Sequence, residues 1–166
     1  MSSTVHRYSA TCSWSGSTAV GYRDYDRSHR MAAGPESLTL SSDPAFLGDP
    51  ARLNPEQLVV MAASSCQLLS FLAVAARARL DVRDYRDDAT ATMAESGAAQ
   101  PMRLDEIVLR PRIVLAPDPR TGAPSEDRVR HLVEVAHREC FIANSLATPV
   151  RIEPTVTFVD QATFTA

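Results

Sequence analysis

Asn54–Pro55–Glu56–Gln57–Leu58–Val59–Val60–Met61–Ala62–Ala63–Ser64–Ser65–Cys66–Gln67–Leu68–Leu69–Ser70–Phe71–Leu72–Ala73–Val74 is the stretch that decides the fold. It reads as one long helix with a single thiol partway along. Asn54 is a strong N-cap residue, and Pro55 suits the first helical position, where a missing N–H costs nothing. Glu56 places an anion in the first turn, where the helix dipole favours it. Behind it the residues are apolar nearly all round, the mark of a buried central helix rather than a surface one. The run extends to about Leu80, and about 25 residues give roughly 38 Å of helix. That length also suits a membrane span. However, Ser64, Ser65, Gln67 and Ser70 interrupt it, Arg77 and Arg79 close it, and no second such segment follows, so it reads as the core helix of a soluble protein. Ala62 to Ser65 are all small and admit a second helix closely, which puts Cys66 in a tightly packed, mostly dry place.

Outward from this helix, composition sets the bounds. The 166 residues suffice for one domain with its own core, and 45% hydrophobic with 22% charged residues is ordinary for a globular chain. A net charge of −3 gives nucleic-acid binding no electrostatic support. All 17 basic residues are arginine, which removes a Schiff-base lysine and a phosphate-loop lysine from the available mechanisms. Cys12, Cys66 and Cys140 are too few, and odd in number, for a secreted disulfide scaffold. Met1 to Arg7 lacks a basic and then apolar leader, so the expected compartment is the cytoplasm.

Before the helix, Tyr8, Ala10, Cys12 and Trp14 share one face of a strand from Arg7 to Ser15, and Thr18 to Asp26 reads as a second strand. After the turn Ala33–Gly34–Pro35, Leu38 to Ser41 completes an antiparallel sheet. After the helix, Val82 to Met93 and Leu104 to Leu115 read as strands around a loop at Glu95 to Pro101, with Pro111 marking an edge or bulge. Ser125 caps a second helix that ends near Glu139. Cys140 falls at the break, Phe141 to Leu146 suit a short further helix, and Val150 to Phe158 alternate in a last strand. The order is α+β in a single domain, 1–166.

A cysteine among apolar residues is most often inert core. Reactivity requires a stabilised thiolate. The available cations are Arg23, Arg27 and Arg30, each of which, taken alone, reads as part of a solvated turn. Glu56 suits a bidentate clamp on one such guanidinium, or simple decoration of the helix dipole. If the short helix after the break begins at Cys140, its backbone N–H groups would lower that thiol's pKa as well. Two thiols of this kind suit a redox cycle. The first takes a peroxide oxygen as a sulfenic acid, the second condenses with it to a disulfide, and external thiols restore both. Cys12 reads as packing. His131 and His137 with Cys66 and Cys140 have no CxxC or HExxH spacing to support zinc, and nothing local supports a cysteine hydrolase built on His29 or His137.

Asn54–Pro55–Glu56–Gln57–Leu58 followed by Ala62–Ala63–Ser64–Ser65–Cys66, with Ala136–His137–Arg138–Glu139–Cys140 much later, resembles the OsmC/Ohr family of thiol-dependent peroxidases. Ser41–Ser42–Asp43–Pro44–Ala45–Phe46–Leu47–Gly48–Asp49 and Cys140–Phe141–Ile142–Ala143–Asn144–Ser145 are similar to an OsmC-like branch of it. The resemblance implies an OsmC-like α+β fold, with antiparallel sheets wrapped around a long central helix in an intertwined homodimer and active sites at the subunit interface. It implies Cys66 as the peroxide-attacking cysteine, Cys140 as the resolving cysteine, and Glu56 as the carboxylate that orients an arginine. Counting back from Leu38 favours Arg27 for that arginine, with Arg30 and Arg23 behind it. The implied substrates are organic hydroperoxides, and the implied reductants are dithiols or lipoylated proteins. No cofactor, nucleic acid or membrane is implied. Gln67 stands after Cys66 where Phe or His is more usual, and Phe141 stands after Cys140 where proline is. The alternative within the same fold is a small-molecule-binding protein with vestigial cysteines. Apart from the resemblance, a monomer of this size can hardly cover a helix apolar all round, so a dimer is expected.

Overall fold

Asn54 and Gln57 close the start of helix α1 (Pro55–Arg77) reciprocally. Gln57 donates its backbone N–H to Asn54 Oδ1 at 2.8 Å, and Asn54 donates its own to Gln57 Oε1 at 3.0 Å. Two amide donors that a helix start leaves without partners are thereby satisfied, as the sequence leads one to expect of Asn54. The structure is a computed structural model that describes residues 4–95 and 101–159. It divides into two units, Met1–Leu58 and Val59–Ala166.

In the first unit, β1 (Thr11–Ser13), β2 (His29–Ala33) and β3 (Glu36–Leu40) form an antiparallel sheet in that order. Cys12 pairs with Met31, and Met31 with Leu38. The β2–β3 turn uses Gly34 at φ 57°, a conformation costly for residues with a Cβ. Thr18 to Asp26 is not the expected second strand. It holds one turn of 3-10 helix at Thr18–Val20 and then a folded loop. The reason is that side chains take up the backbone groups a ladder would need. Trp14 Nε1 donates to Asp26 O at 2.6 Å, and Arg27 donates to Tyr22 O at 2.6 Å and Tyr25 O at 3.0 Å. Before α1, Asp43 accepts from Ala45 N at 2.8 Å and from Asn54 Nδ2 at 3.2 Å, which fixes the entry to the helix. Gly48 packs so tightly here that a Cβ would lie 1.6 Å from Ser42 O.

In the second unit, α1 ends in a left-handed cap. Arg79 stands at φ 60°, its N–H bonds Ala76 O at 3.1 Å, and Leu80 N–H bonds Ala75 O at 2.9 Å. Six strands follow in two sheets. β4 (Asp81–Asp87), β7 (Pro111–Ala116) and β9 (Thr155–Phe158) make one; β5 (Thr90–Thr92), β6 (Glu106–Leu109) and β8 (Val150–Ile152) make the other. β4/β7 and β5/β6 are antiparallel, whereas β7/β9 and β6/β8 are parallel. The three long strands expected from sequence are thus each broken in the middle, at 88–89, at Arg110 and at 153–154. Arg110 stitches the breaks together: its N–H bonds Asp87 Oδ1 at 2.6 Å, its Nη1 bonds Thr90 Oγ1 at 2.8 Å, and its Nε pairs with Glu153 Oε2 at 3.0 Å. Pro111 and Pro154, lacking an N–H, flank two of the breaks. The loop expected at Glu95 to Pro101 falls mostly on 96–100, outside the described residues, as do the first three residues of the stretch inspected for a leader.

Helices α2 (Glu126–Glu139) and α3 (Phe141–Ser145) complete this unit, α2 capped by Ser125 Oγ, which accepts from Arg128 N at 3.3 Å. Phe71, Val74 and Ala75 of α1 pack with Ile113 and Leu115 of β7 and with Val129, Val133 and Ala136 of α2. Each large side chain buried there contributes roughly 1.5–3 kcal/mol. Ala63, Ile107 and Leu109 form a second cluster, with Ile142 and Leu146 against it.

Within one chain α1 is buried only along the stripe Ala63, Gln67, Phe71, Val74 and Ala75. Met61, Leu69 and Leu72 are 52%, 64% and 38% exposed. The sequence leads one to expect burial all round; one chain covers one face and leaves an apolar face open. Among the described residues α1 is the one helix long and apolar enough to cross a membrane.

Candidate functional site

Two elements bring the sulfurs together. Cys66 sits midway along α1. Cys140 ends α2 and, with φ −73° and ψ 109°, turns the chain into α3, which it also caps. Ile142 donates its N–H to Cys66 Sγ at 3.5 Å, and Ala143 donates its N–H to Cys140 Sγ at 3.5 Å. Phe141 N–H, the Ser70 hydroxyl and the Cys140 thiol also favour the charged form of Cys66. Both thiols are free; Cys66 is half-buried and Cys140 is fully buried.

The environment divides the pair. Burial pushes the Cys66 thiol up, but the donors from Ile142, Cys140, Phe141 and Ser70 outweigh it and leave Cys66 below the ordinary 9.0. Burial lifts Cys140 to about 11, against the lowering expected from its place at a helix start. The Ala143 N–H opposes this, and the hydrogen bond to Cys66 and its charge add to it. Near neutral pH, Cys66 is the better source of thiolate and Cys140 holds its proton.

Cys66 opens on a cavity of about 640 Å³ whose walls include Leu69, Ser70, Ala73, Phe141 and Ile142. Phe141 is 79% exposed at its mouth. Arg77, Arg138 and Glu139 give the same cavity a charged portion. Arg77 Nη2 and Glu139 Oε2 pair at 2.5 Å.

Behind the sulfurs, Gln67 is fully buried. Its Nε2 donates to Val133 O at 3.3 Å and ties α1 to α2, while its Oε1 has no partner among the described residues. The Tyr85 hydroxyl is likewise buried without a partner among the described residues. Burial, with Asp87 and Cys140 adding, holds its pKa far above that of an ordinary phenol.

Of the residues singled out by sequence, Cys66 and Cys140 meet. Arg27 and Glu56 do not pair with each other. The Arg27 guanidinium lies 4.0 Å from the Tyr25 ring centroid and 5.2 Å from that of Tyr22, with both carbonyls as acceptors. Arg30 donates to Ser37 Oγ at 3.1 Å. Glu56 is half-buried, with no hydrogen bond or ion pair to a described residue. No histidine is among the described groups that bond Cys66 or line its cavity. His137 lines a different one, with Arg130 and Glu134. Ser70, the amides of Phe141 and Ile142, Tyr85 and the charged portion of the cavity are absent from the sequence reading. Only Ser70 carried a local signal, standing four residues after Cys66 on one helix face.

The sequence profile of OsmC-like proteins matches residues 48–155. Among solved structures, an OsmC-like protein of unknown function from Vibrio cholerae is 29% identical with a TM-score of 0.80, and the match covers 91% of this chain and 100% of that one. The organic hydroperoxide resistance protein OsmC from Legionella pneumophila is 17% identical, with a TM-score of 0.67 over 93% of this chain and 99% of that one. An organic hydroperoxide resistance protein from Elizabethkingia anophelis is 18% identical, with a TM-score of 0.68 over 94% and 99%. No curated protein matches the sequence.

Proposed function

The chain belongs to the OsmC/Ohr family, and from that premise we propose that it is a thiol-dependent peroxidase reducing organic hydroperoxides through a two-cysteine cycle. The observation that carries this reading is the unequal thiol pair: Cys66 lowered and half-open to a cavity, Cys140 raised and buried against it.

The Cys66 thiolate attacks the terminal oxygen of the hydroperoxide. The O–O bond breaks, an S–O bond forms, and the departing alkoxide takes a proton to leave as alcohol. Cys66 is then a sulfenic acid and has lost its negative charge. The upward push of that charge on Cys140 goes with it, so Cys140 ionises more readily just when it is needed. Its sulfur attacks Cys66 Sγ, the S–O bond breaks, and hydroxide leaves with the proton from Cys140 as water. A dithiol, free or on a lipoylated protein, reduces the disulfide by exchange.

The proposal extends to assembly. The open face of α1 at Met61, Leu69 and Leu72 suits a second copy of the chain in an obligate homodimer, and Arg27 and Glu56 are assigned to completing the site in that dimer. The cytoplasm, where reducing dithiols persist, is the proposed compartment.

The test is consumption of cumene hydroperoxide with a dithiol as reductant. Wild type is expected to turn over and Cys66→Ser to lose the activity. Full activity in Cys66→Ser would overturn the reading and leave a binding protein with idle cysteines.

A further inference from the structure

Cys140 is fully buried, and the resolving step asks it to carry a negative charge there. A thiolate out of water needs hydrogen-bond donors. The amides of Ala143 and Ile142 favour its charged form, but the Ile142 amide is also the donor to Cys66 Sγ at 3.5 Å. Burial outweighs both. One further donor stands in the same dry layer. Tyr85 of β4 packs against the cluster that holds Phe71 of α1 and Val133 and Ala136 of α2, its ring centroid 6.0 Å from that of Phe71. Cys140 follows Ala136 by four residues, on the same face of α2. The Tyr85 hydroxyl is buried and makes no hydrogen bond with a described residue. Gln67 Oε1 and His137 Nδ1 share that condition, but the first can only accept, and His137 lines a different cavity. Burial first, then the charges of Asp87 and Cys140, keeps the Tyr85 phenol protonated far above neutral pH. The Cys140 charge is thus felt at Tyr85, and the phenol can donate to it without ionising in its place.

We propose that Tyr85 is a positioning residue for the resolving thiol: as Cys140 ionises, the Tyr85 hydroxyl turns its proton onto the sulfur and holds the thiolate for attack on Cys66. The inference rests on the two-cysteine reading and assigns a further residue to its second step. No bond of Tyr85 breaks. The Cys140 proton leaves with the Cys66 oxygen as water, and Tyr85 keeps its own. A hydroxyl hydrogen rotates to suit its acceptor, whereas the ring is fixed by Phe71 and by the pairing of Tyr85 with Ile113. Gln67 cannot serve instead. Its Nε2 is committed to Val133 O at 3.3 Å, and its Oε1 would repel a thiolate.

The experiment is Tyr85→Phe, which keeps the ring and removes the hydroxyl. One equivalent of cumene hydroperoxide is added to the reduced protein, and two rates are read: hydroperoxide consumed and Cys66–Cys140 disulfide formed. The ratio of the second rate to the first is expected to fall about tenfold, the size of a hydrogen bond to a charged group. The pH profile of disulfide formation is expected to move up by about one unit. An unchanged ratio, or a profile that stays in place, overturns the proposal. The ionisation of Cys140 is then followed without any peroxide, by NMR of isotope-labelled cysteine Cβ. Tyr85→Phe is compared with its parent, both carrying Cys66→Ser. The charge that Cys66 adds to Cys140 is then removed, and Asp87 of β4 and His137, Arg138 and Glu139 of α2 are the same in both proteins. The Cys140 midpoint is expected to lie about one unit higher in Tyr85→Phe. Equal midpoints overturn the inference even if cumene hydroperoxide is reduced, and a raised midpoint supports it even if none is.

Discussion

Ile142 aims its backbone N–H at Cys66 Sγ, 3.5 Å away, across 76 residues of sequence. The donor belongs to the same short helix that Cys140 caps, so whatever positions Cys140 also tunes Cys66.

From this arrangement follows an order of reactivity. In the reduced protein, iodoacetamide at neutral pH is expected to label Cys66 well before Cys140, read by peptide mass spectrometry. Faster labelling of Cys140 would contradict the assignment of roles.

The same pair predicts a pH dependence of stability. Cys140 is raised from 9.0 to about 11 when folded, so its contribution is fully present below about pH 9 and is lost as pH rises towards 11. Cys66 is lowered, so its contribution is present above the ordinary thiol range and is lost as pH falls through its folded value. Denaturation midpoints between pH 8 and 11 are expected to fall less in Cys140→Ser than in wild type. An equal fall in both would show that Cys140 does not titrate as assigned.

Replacing Cys140 is expected to separate the two proposed chemical steps. Cys140→Ser is expected to consume one equivalent of hydroperoxide and stop at a sulfenic acid, trapped by dimedone. Wild type is expected to yield a Cys66–Cys140 disulfide and no dimedone adduct. A Cys140→Ser protein that turns over at the wild-type rate would mean that external thiols alone resolve the sulfenate.

Leu69 is 64% exposed at the centre of the open face of α1. If the proposed dimer forms on this face, Leu69→Arg is expected to shift it towards monomer in sedimentation velocity, because a charge at an apolar contact desolvated by the partner costs several kcal/mol. A monomeric wild type would remove the assembly from the proposal.

At Gly48 the Cβ of an alanine would sit 1.6 Å from Ser42 O, a backbone atom that cannot swing aside. Gly48→Ala is expected to destabilise by about 2 kcal/mol or more in urea denaturation. Gln67→Leu, by contrast, deletes a buried acceptor that has no partner among the described residues along with one 3.3 Å hydrogen bond, and is expected to change stability by about 1 kcal/mol or less.

The fold was legible where a local rule governs a local structure. Asn54 as cap, Pro55 at the first helical position, Ser125 as the second cap and Cys140 at the helix break are all signals carried within a turn of chain. The break at Arg110 is different. It depends on Asp87, Thr90 and Glu153, which lie 20 to 43 residues away and are joined only by folding, so one apolar run from Leu104 to Leu115 concealed two strands of different sheets. The loop from Tyr22 to Arg27 misled for the same reason. Its alternation suits a strand, and only the seating of Arg27 on two carbonyls and two rings shows that it is none. At the site, the cysteines are visible as residue types and the helix break signals amides beside Cys140, whereas only folding shows that the Ile142 amide serves Cys66 and that burial wins at Cys140.

The two parallel pairings impose a timetable on folding. β8 and β9 are the third strands of their sheets, and both come from residues 150–158, so neither sheet is whole until that stretch leaves the ribosome. Pairings between distant segments form late and slowly. Until they form, the nascent chain carries Cys66 and Cys140 without a finished scaffold around them.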